Sequence, residues 1–165
     1  MKRGILLLIS LLPLLAACDI IDSVRYPEVT EMGKNYVWCQ MDDCNYLKDG
    51  LSVTLNPAGD TVYFDIKVQR VYGFSSDIEL KSLEMRVAFK DLEPQRRLDL
   101  DNEQVRVSYT SASTPLWASD VSGYVMFWKC AGRILSGQFE FQCSAATRDF
   151  YISHGIFDLK APFVL

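Results

Sequence analysis

From Val62 to Gln69 apolar and polar residues alternate without a break. Val62, Phe64, Ile66 and Val68 share one phase, and Tyr63, Asp65, Lys67 and Gln69 share the other. A period of two sets one row against a core and the other toward water, which is the pattern of a half-buried strand. The same pattern returns in Leu83, Met85, Val87 and Phe89 against Glu84, Arg86, Ala88 and Lys90. Helix is the competing reading there, because Glu, Met, Arg, Ala and Lys favour it; strict alternation favours strand. Leu51–Leu55 and Val105–Tyr109 alternate as well, and Asn56-Pro57-Ala58-Gly59-Asp60 is a strong turn signal. The run before that turn and the run after it should therefore pair as a hairpin.

Strands are also expected at Tyr36–Gln40, near Leu98, and at Tyr124–Cys130, Ile134–Cys143 and Phe150–Lys160. Asp42–Asn45 reads as a turn-rich break, 72–77 as a loop, and Ser111–Gly123 as a Ser/Thr-rich connection holding Pro115, Leu116 and Trp117. No segment carries a convincing amphipathic helix. About nine strands at this spacing predict a single all-β domain, a sandwich or a flattened antiparallel barrel.

The start of the chain has a different character. Lys2 and Arg3 precede an apolar run from Gly4 to Leu15, interrupted by Ser10 and Pro13, and the sequence then reads Leu15-Ala16-Ala17-Cys18. A charged head, a short apolar core and a small-residue cleavage site are the parts of a secretory signal. The run is shorter than the roughly 20 residues that a membrane-spanning helix needs. Leu-Ala-Ala-Cys resembles the bacterial lipobox, which implies that the Cys18 thiol carries a diacylglyceryl group and that its amine is acylated after cleavage. One acyl chain holds marginally and two or three hold firmly, at about 0.8 kcal/mol per buried methylene. The expected organisation is a signal peptide over 1–17, a lipidated N-terminus and tether over 18–35, and the β domain over 36–165. The anchor places the chain in the bacterial cell envelope, at the outer membrane or on the periplasmic face of the inner one. Asp19 marks inner-membrane retention in enteric bacteria and not in other phyla.

Removing residues 1–17 from 165 leaves 148, which suits one domain plus a tether. The signal takes two cations with it, leaving fifteen against 21 acids and a net charge of −6. Nucleic acid is a poor partner for such a chain, since phosphate neutralisation dominates that affinity. The sequence also shows no basic cluster of the kind anionic lipid attracts.

Cysteines stand at 18, 39, 44, 130 and 143. With Cys18 committed to lipid, Cys39, Cys44, Cys130 and Cys143 form an even set, which in an oxidising compartment suggests two disulfides among three pairings. If Ala131-Gly132-Arg133 is a turn, Cys130 lies at its base and Cys143 far up the returning strand, too distant for a bridge. Bridges from the 39/44 pair to 130 and 143 are at least as favourable, and free thiols stay open.

Near the end, Ile134-Leu135-Ser136-Gly137-Gln138-Phe139-Glu140-Phe141 is followed by Tyr151-Ile152-Ser153-His154-Gly155-Ile156-Phe157-Asp158-Leu159. This is similar to a family of uncharacterised lipoproteins of Bacteroidota, whose domains end with a Ser-Gly-x-Phe-x-Phe strand and then a strand carrying Asn-Gly-x-Phe. His154 stands where that pattern has Asn. The likeness covers the last third of the chain and hardly touches the middle. It implies a small β domain behind a lipid anchor and supplies no activity. The motif itself reads as structural. Gly137 and Gly155 suit a bulge or the close approach of a ring, and Phe139, Phe141, Phe157 and Leu159 sit on a core-filling phase.

Catalytic constellations are absent from the pattern. His154 is the only histidine, so no Ser-His-Asp set can be argued. Asp42-Asp43 reads as a solvated turn rather than a cation site, because hard cations want six or more oxygens. Cys39-x4-Cys44 has neither zinc-knuckle nor redox spacing. Asp99, Asp101 and Glu103 read as a charged strand edge that discourages aggregation. No metal and no cofactor is expected. The mildly functional signal is aromatic: Trp117 in its polar loop, and Trp128 on one strand face with Tyr124 and Met126. Such rings stack on sugars or fill partner pockets. The leading expectation is a non-catalytic binding or structural module for a protein, glycan or small ligand. The alternatives are an inhibitor or immunity lipoprotein and a hydrolase using paired carboxylates.

Overall fold

The computed structural model of the chain describes residues 30–42, 44–73 and 77–165. The signal peptide expected over 1–17, the expected acylation site Cys18 and Asp43 lie outside the described residues. Ten strands follow one another: β1 (Tyr36–Met41), β2 (Cys44–Leu55), β3 (Thr61–Tyr72), β4 (Ile78–Ala88), β5 (Arg97–Asp101), β6 (Val105–Ser111), β7 (Thr114–Trp117), β8 (Val121–Ala131), β9 (Ile134–Ser144) and β10 (Asp149–Lys160). A single 3-10 turn, Phe89–Asp91, follows β4. The strands form one antiparallel sheet in the order β5-β8-β9-β10-β1-β2-β3-β4-β6-β7.

That sheet is curled into a half-barrel. Phe64 on β3 lies 6.4 Å, ring to ring, from Phe127 on β8, although the two strands are five places apart in the order. Five spacings of a flat sheet would separate them by about 24 Å. Phe64 also meets Phe157 of β10 at 6.4 Å, and Tyr109 of β6 meets Phe150 of β10 edge-on at 5.7 Å. The concave face is thus closed on itself and filled with side chains. The expected all-β architecture holds, with one sheet serving as both layers.

The alternating runs land as expected. Val62, Phe64, Ile66 and Val68 are buried, and Leu51 to Leu55 faces Ile66 to Val62 across the hairpin. The turn between them is closed by Asn56, whose Oδ1 accepts from the backbone N–H of Asp60 at 3.0 Å and of Thr61 at 3.2 Å. Residues 78–88 are strand, as alternation indicated. Two boundaries differ. The break at 42–45 is shorter than expected because β2 already begins at Cys44. The connection 111–123 contains β7, which turns back on β6 through Ala112 and Ser113, both at positive φ (48° and 72°). Neither is a glycine, so the usual sequence signal of that hairpin turn is missing.

Glycines of the C-terminal motif make room for rings. A Cβ on Gly155 would stand 2.4 Å from a carbon of the Phe139 ring, and one on Gly137 would stand 2.3 Å from the Met126 carbonyl oxygen. His154 occupies the left-handed region at φ 52° within the β9–β10 bulge. Asn, Asp and His tolerate that region best among residues with a side chain, so His154 suits the position.

The six residues from Thr30 to Asn35, assigned to the tether by sequence, are bound to the convex face. Asp158 on β10 is only 2% exposed. Its carboxylate accepts from Thr30 Oγ1 (2.5 Å), Met32 N (3.2 Å), Gly33 N (2.7 Å) and Lys34 N (3.2 Å). Asn35 Oδ1 accepts from Lys160 N at 2.8 Å, and Lys129 Nζ donates to the Glu31 carbonyl at 3.0 Å. This strap crosses the end of the barrel that also carries the β8–β9 turn and the C-terminal segment. Cations that look scattered in the sequence gather around it: Lys34, Lys129, Arg133 and Lys160. The opposite end collects Asp42, Asp77, Asp120 and Asp149, with Arg148 Nη2 bonded to Asp42 at 2.6 Å and to Asp77 at 3.3 Å.

Two outcomes follow from this packing. Gly155→Ala should lower stability by about 1–3 kcal/mol through overpacking against Phe139, read as a lower urea midpoint; a midpoint equal to wild type would refute the ring contact. Asp158→Asn should destabilise by about 1–3 kcal/mol, since an amide replaces one acceptor oxygen by a donor facing N–H groups. Hydrogen exchange should then quicken at Met32, Gly33 and Lys34 while the Phe139 and Phe157 amides stay protected.

Candidate functional site

Sequence phase alone puts Ser122 and Tyr124 of β8, Glu140 and Gln142 of β9, and Tyr151 of β10 on the convex face. Register then brings them together: Tyr124 lies opposite Glu140, and Ser122, Gln142 and Tyr151 form one cross-strand row. Arg97 enters from the edge strand β5, its guanidinium 3.9 Å above the Tyr124 ring and its Nε 2.9 Å from Asp99 Oδ1. These residues line a shallow groove of about 370 Å³. Gly123 also lines it; a Cβ there would come within 2.0 Å of the Glu140 carbonyl oxygen and 2.7 Å of the buried Phe141 ring. The Tyr124 hydroxyl accepts from Gln138 Nε2 at 3.3 Å, which fixes the ring; Tyr151, 55% exposed, forms the facing wall. A second, more apolar hollow of about 510 Å³ lies at the strap end beside Thr61, Ala88 and Phe89.

What the groove offers is planar hydrogen-bonding chemistry beside aromatic faces. A guanidinium, a carboxylate and an amide each present paired donors or acceptors, and the tyrosines add apolar area at small entropic cost. Of its lining residues only Glu140 carries a carboxylate, so the paired acids of a glycosidase are not assembled in it.

The residues singled out in the sequence are placed as follows. Trp117, at the end of the edge strand β7, is 47% exposed, with the Arg106 guanidinium 4.2 Å over its ring. Trp128 is half-buried within the β8 irregularity between Phe127 and Lys129. The two lie on strands near opposite margins of the sheet, and neither lines the groove. His154 is exposed, its Nδ1 3.2 Å from Ser153 Oγ. Asp42 is engaged by Arg148. Asp99 pairs with Arg97, and Asp101 Oδ1 accepts from Glu103 N at 2.8 Å to close the β5–β6 turn. Among the described residues no three His, Cys, Asp or Glu side chains are placed to hold a metal ion.

The disulfides expected among Cys39, Cys44, Cys130 and Cys143 are not formed in the structure. Register and sheet order give the reason for all but one of the possible pairs. Cys130 faces Leu135, eight residues before Cys143 on the same strand, which is about 26 Å along β9. Bridges from β1 or β2 to either one would have to cross at least β10, farther than a disulfide's Cα separation allows. Only Cys39 and Cys44 are neighbours, on adjacent positions of the inward face of the β1–β2 hairpin, opposite Tyr46 and Met41 respectively. Burial pushes the Cys39, Cys130 and Cys143 thiols up to about 12. It also raises the Tyr36 and Tyr46 phenols to about 12.

Comparison with protein families, with characterised proteins and with solved structures finds no match to this chain.

Sequence reasoning missed the groove because its residues are individually unremarkable. The one usable signal was the polar-aromatic phase shared by β8, β9 and β10. The thiols give a measurable outcome. At pH 8 a thiol-specific reagent should leave Cys39, Cys44 and Cys143 untouched in the native protein and react with all four in denaturant; fewer than four would restore a bridge. The raised thiols and phenols also set an alkaline limit. An unfolded chain ionises from about pH 9 upward while the folded one holds its protons until about 12, so the unfolded state binds fewer protons there and stability falls as pH rises. The urea midpoint should decline steadily above pH 9; a flat profile to pH 11 would contradict the burial.

Proposed function

We propose that the protein is a lipid-anchored, non-catalytic binding module of the bacterial cell envelope, of the Bacteroidota lipoprotein type. Leu15-Ala16-Ala17-Cys18 behind a short apolar run carries this reading. Acylated Cys18 holds the chain to the membrane, and the half-barrel presents its convex groove to a ligand. The filled interior supports this arrangement, because Phe64, Phe127, Phe139 and Phe157 occupy the space an enclosed ligand would need. The groove supports it too, with Arg97, Glu140 and Gln142 ranged beside two tyrosines.

Two measurements test the reading. Intact mass of the membrane-derived chain should correspond to a start at Cys18 plus acyl groups, and Cys18→Ser should leave the leader uncleaved. A mature Cys18→Ser chain that still partitions into detergent would sink the anchor. For the groove, purified peptidoglycan sacculi and lipopolysaccharide serve as separate probes. Tyr151→Ala should weaken retention on one of them about tenfold, a loss of about 1.4 kcal/mol. Tyr63→Ala, on the convex face outside the groove and 39% exposed, should bind as wild type. Equal behaviour of the two variants, or no retention of wild type, would remove the groove from the proposal.

A further inference from the structure

The strap end of the half-barrel carries a combination seen nowhere else among the described residues. Met32 is 73% exposed and Val164 is 71% exposed, the two most exposed large apolar side chains described. Both stand at this end. Met32 is held there by the Asp158 bond to its N–H, and Val164 precedes Leu165, whose N–H donates to the Gly132 carbonyl at 2.7 Å. Around them are four cations contributed by four separate segments. Lys34 comes from the strap, Lys129 from the end of β8, Arg133 from the β8–β9 turn and Lys160 from the end of β10. Two of them are held by side-chain bonds, and the backbones of the other two by bonds to Asp158 and Asn35. Arg133 donates to the carbonyls of Ala161 (2.9 Å) and Pro162 (3.0 Å), Lys129 to that of Glu31, and Gly33 packs against Lys160 Cβ and Ile134. The anions nearest them are Glu31 and the carboxylate of Asp158, which the strap's own donors cover; Asp60 lies in the β2–β3 turn of the same end, beside Lys90. Asp91 and Glu93, farther round the same end, are paired with Arg96.

We propose that this end is a membrane-contact face, in which Met32 and Val164 enter the interface of a bilayer while Lys34, Lys129, Arg133 and Lys160 meet anionic headgroups. Exposed apolar side chains ringed by cations are what such a surface binds, and the attraction acts within a Debye length of about 10 Å at 0.1 M salt. The chain outside the described residues fits the same geometry. Eleven residues separate Cys18 from Thr30, and fully extended they reach about 40 Å. An anchored chain therefore holds the strap end near the bilayer, and the clasp at Asp158 decides which end that is. The proposal rests on the anchor reading for its tether and deepens it by giving the body an orientation. The groove follows: Tyr151 lies seven residues up β10 from Asp158, about 20 Å farther from the membrane.

The test uses the mature chain in vesicles of phosphatidylethanolamine with phosphatidylglycerol. An environment-sensitive dye is attached at Met32→Cys, at Val164→Cys, or at Thr147→Cys on the opposite end, with the wild-type chain as the blank. The dye at 32 and 164 should shift to shorter wavelength and react with aqueous dithionite about tenfold more slowly than at 147, as expected for a label at the acyl boundary. The contrast should shrink in phosphatidylcholine alone, in high salt, and in a Lys34→Gln, Lys160→Gln variant. Equal reaction at all three positions in an acylated chain would overturn the face and leave the anchor standing. A native chain that intact mass shows to be unacylated, and that still floats with phosphatidylglycerol vesicles and shows the contrast, would keep the face and overturn the anchor. A native chain that is unacylated and does not float would overturn both.

Discussion

Closure of one sheet upon itself is the constraint from which the other features descend. Phe64 must reach Phe127 and Phe157 across the concave side, and it can do so only if β9 and β10 let rings lie directly on the backbone. Gly137 and Gly155 provide that clearance, the first beneath Phe157 and the second beneath Phe139. Removing the side chain at 155 while keeping the ladder also places His154 in a left-handed bulge, and the bulge bends β10 so that the sheet can curl. A Ser-Gly-x-Phe-x-Phe strand followed by a Gly-x-Phe strand is therefore one device: two glycines as floor and two phenylalanines as filling. Its cost is a residue at positive φ. Its return is a core in which rings from β3, β8, β9 and β10 interlock.

How much of this could be read beforehand depends on whether the information was local. Alternation over Val62–Val68 and Leu83–Val87 is local, and it yielded strands, faces and a hairpin register. The glycine-aromatic motif is local too, and its physical meaning survived intact. β7 was not legible: its turn, Ala112-Ser113, uses positive φ without the Asn or Gly that advertises it, and Pro115 argues against a strand. The disulfide expectation failed for a related reason. An even count of cysteines is a statement about composition, whereas a bridge is a statement about place in the sheet. The distance between Cys130 and Cys143 was legible from the hairpin, but the strand order that sets β10 between Cys39 and Cys143 was not. The groove and the cation cluster are wholly non-local. Arg97, Tyr124, Glu140 and Tyr151 come from four strands, and Lys34, Lys129, Arg133 and Lys160 from four segments, so no window along the chain contains either.

Asp158 shows how a residue on the convex side can matter as much as the core. A carboxylate with four donors converging on it is satisfied in a way that neither water nor an amide reproduces. Because all four donors come from Thr30–Lys34, the bond pattern also fixes where the preceding chain leaves the body. A tether attached elsewhere, for instance at the Asp42–Asp77–Arg148 end, would point a cluster of aspartates at whatever holds the tether. As built, the departure point is surrounded by lysines and an arginine, and the acidic end is remote. The charge asymmetry and the clasp are independent features of the sequence that select the same end of the barrel.

The placement of the groove then acquires a mechanical reading. On the proposed orientation, a ligand contact close to the strap would compete with the bilayer for the same surface, and a contact inside the barrel would compete with the phenylalanine core. The convex face of β8, β9 and β10, beyond the strap and outside the core, is free of both demands. Its side chains can vary without touching the Gly137–Phe157 and Gly155–Phe139 contacts, because a strand's two phases are separately constrained. The architecture thus divides its labour by phase and by end. Inward residues of β9 and β10 hold the body together, Asp158 on the outward phase holds the strap, and outward residues near Tyr151 are bound by neither demand.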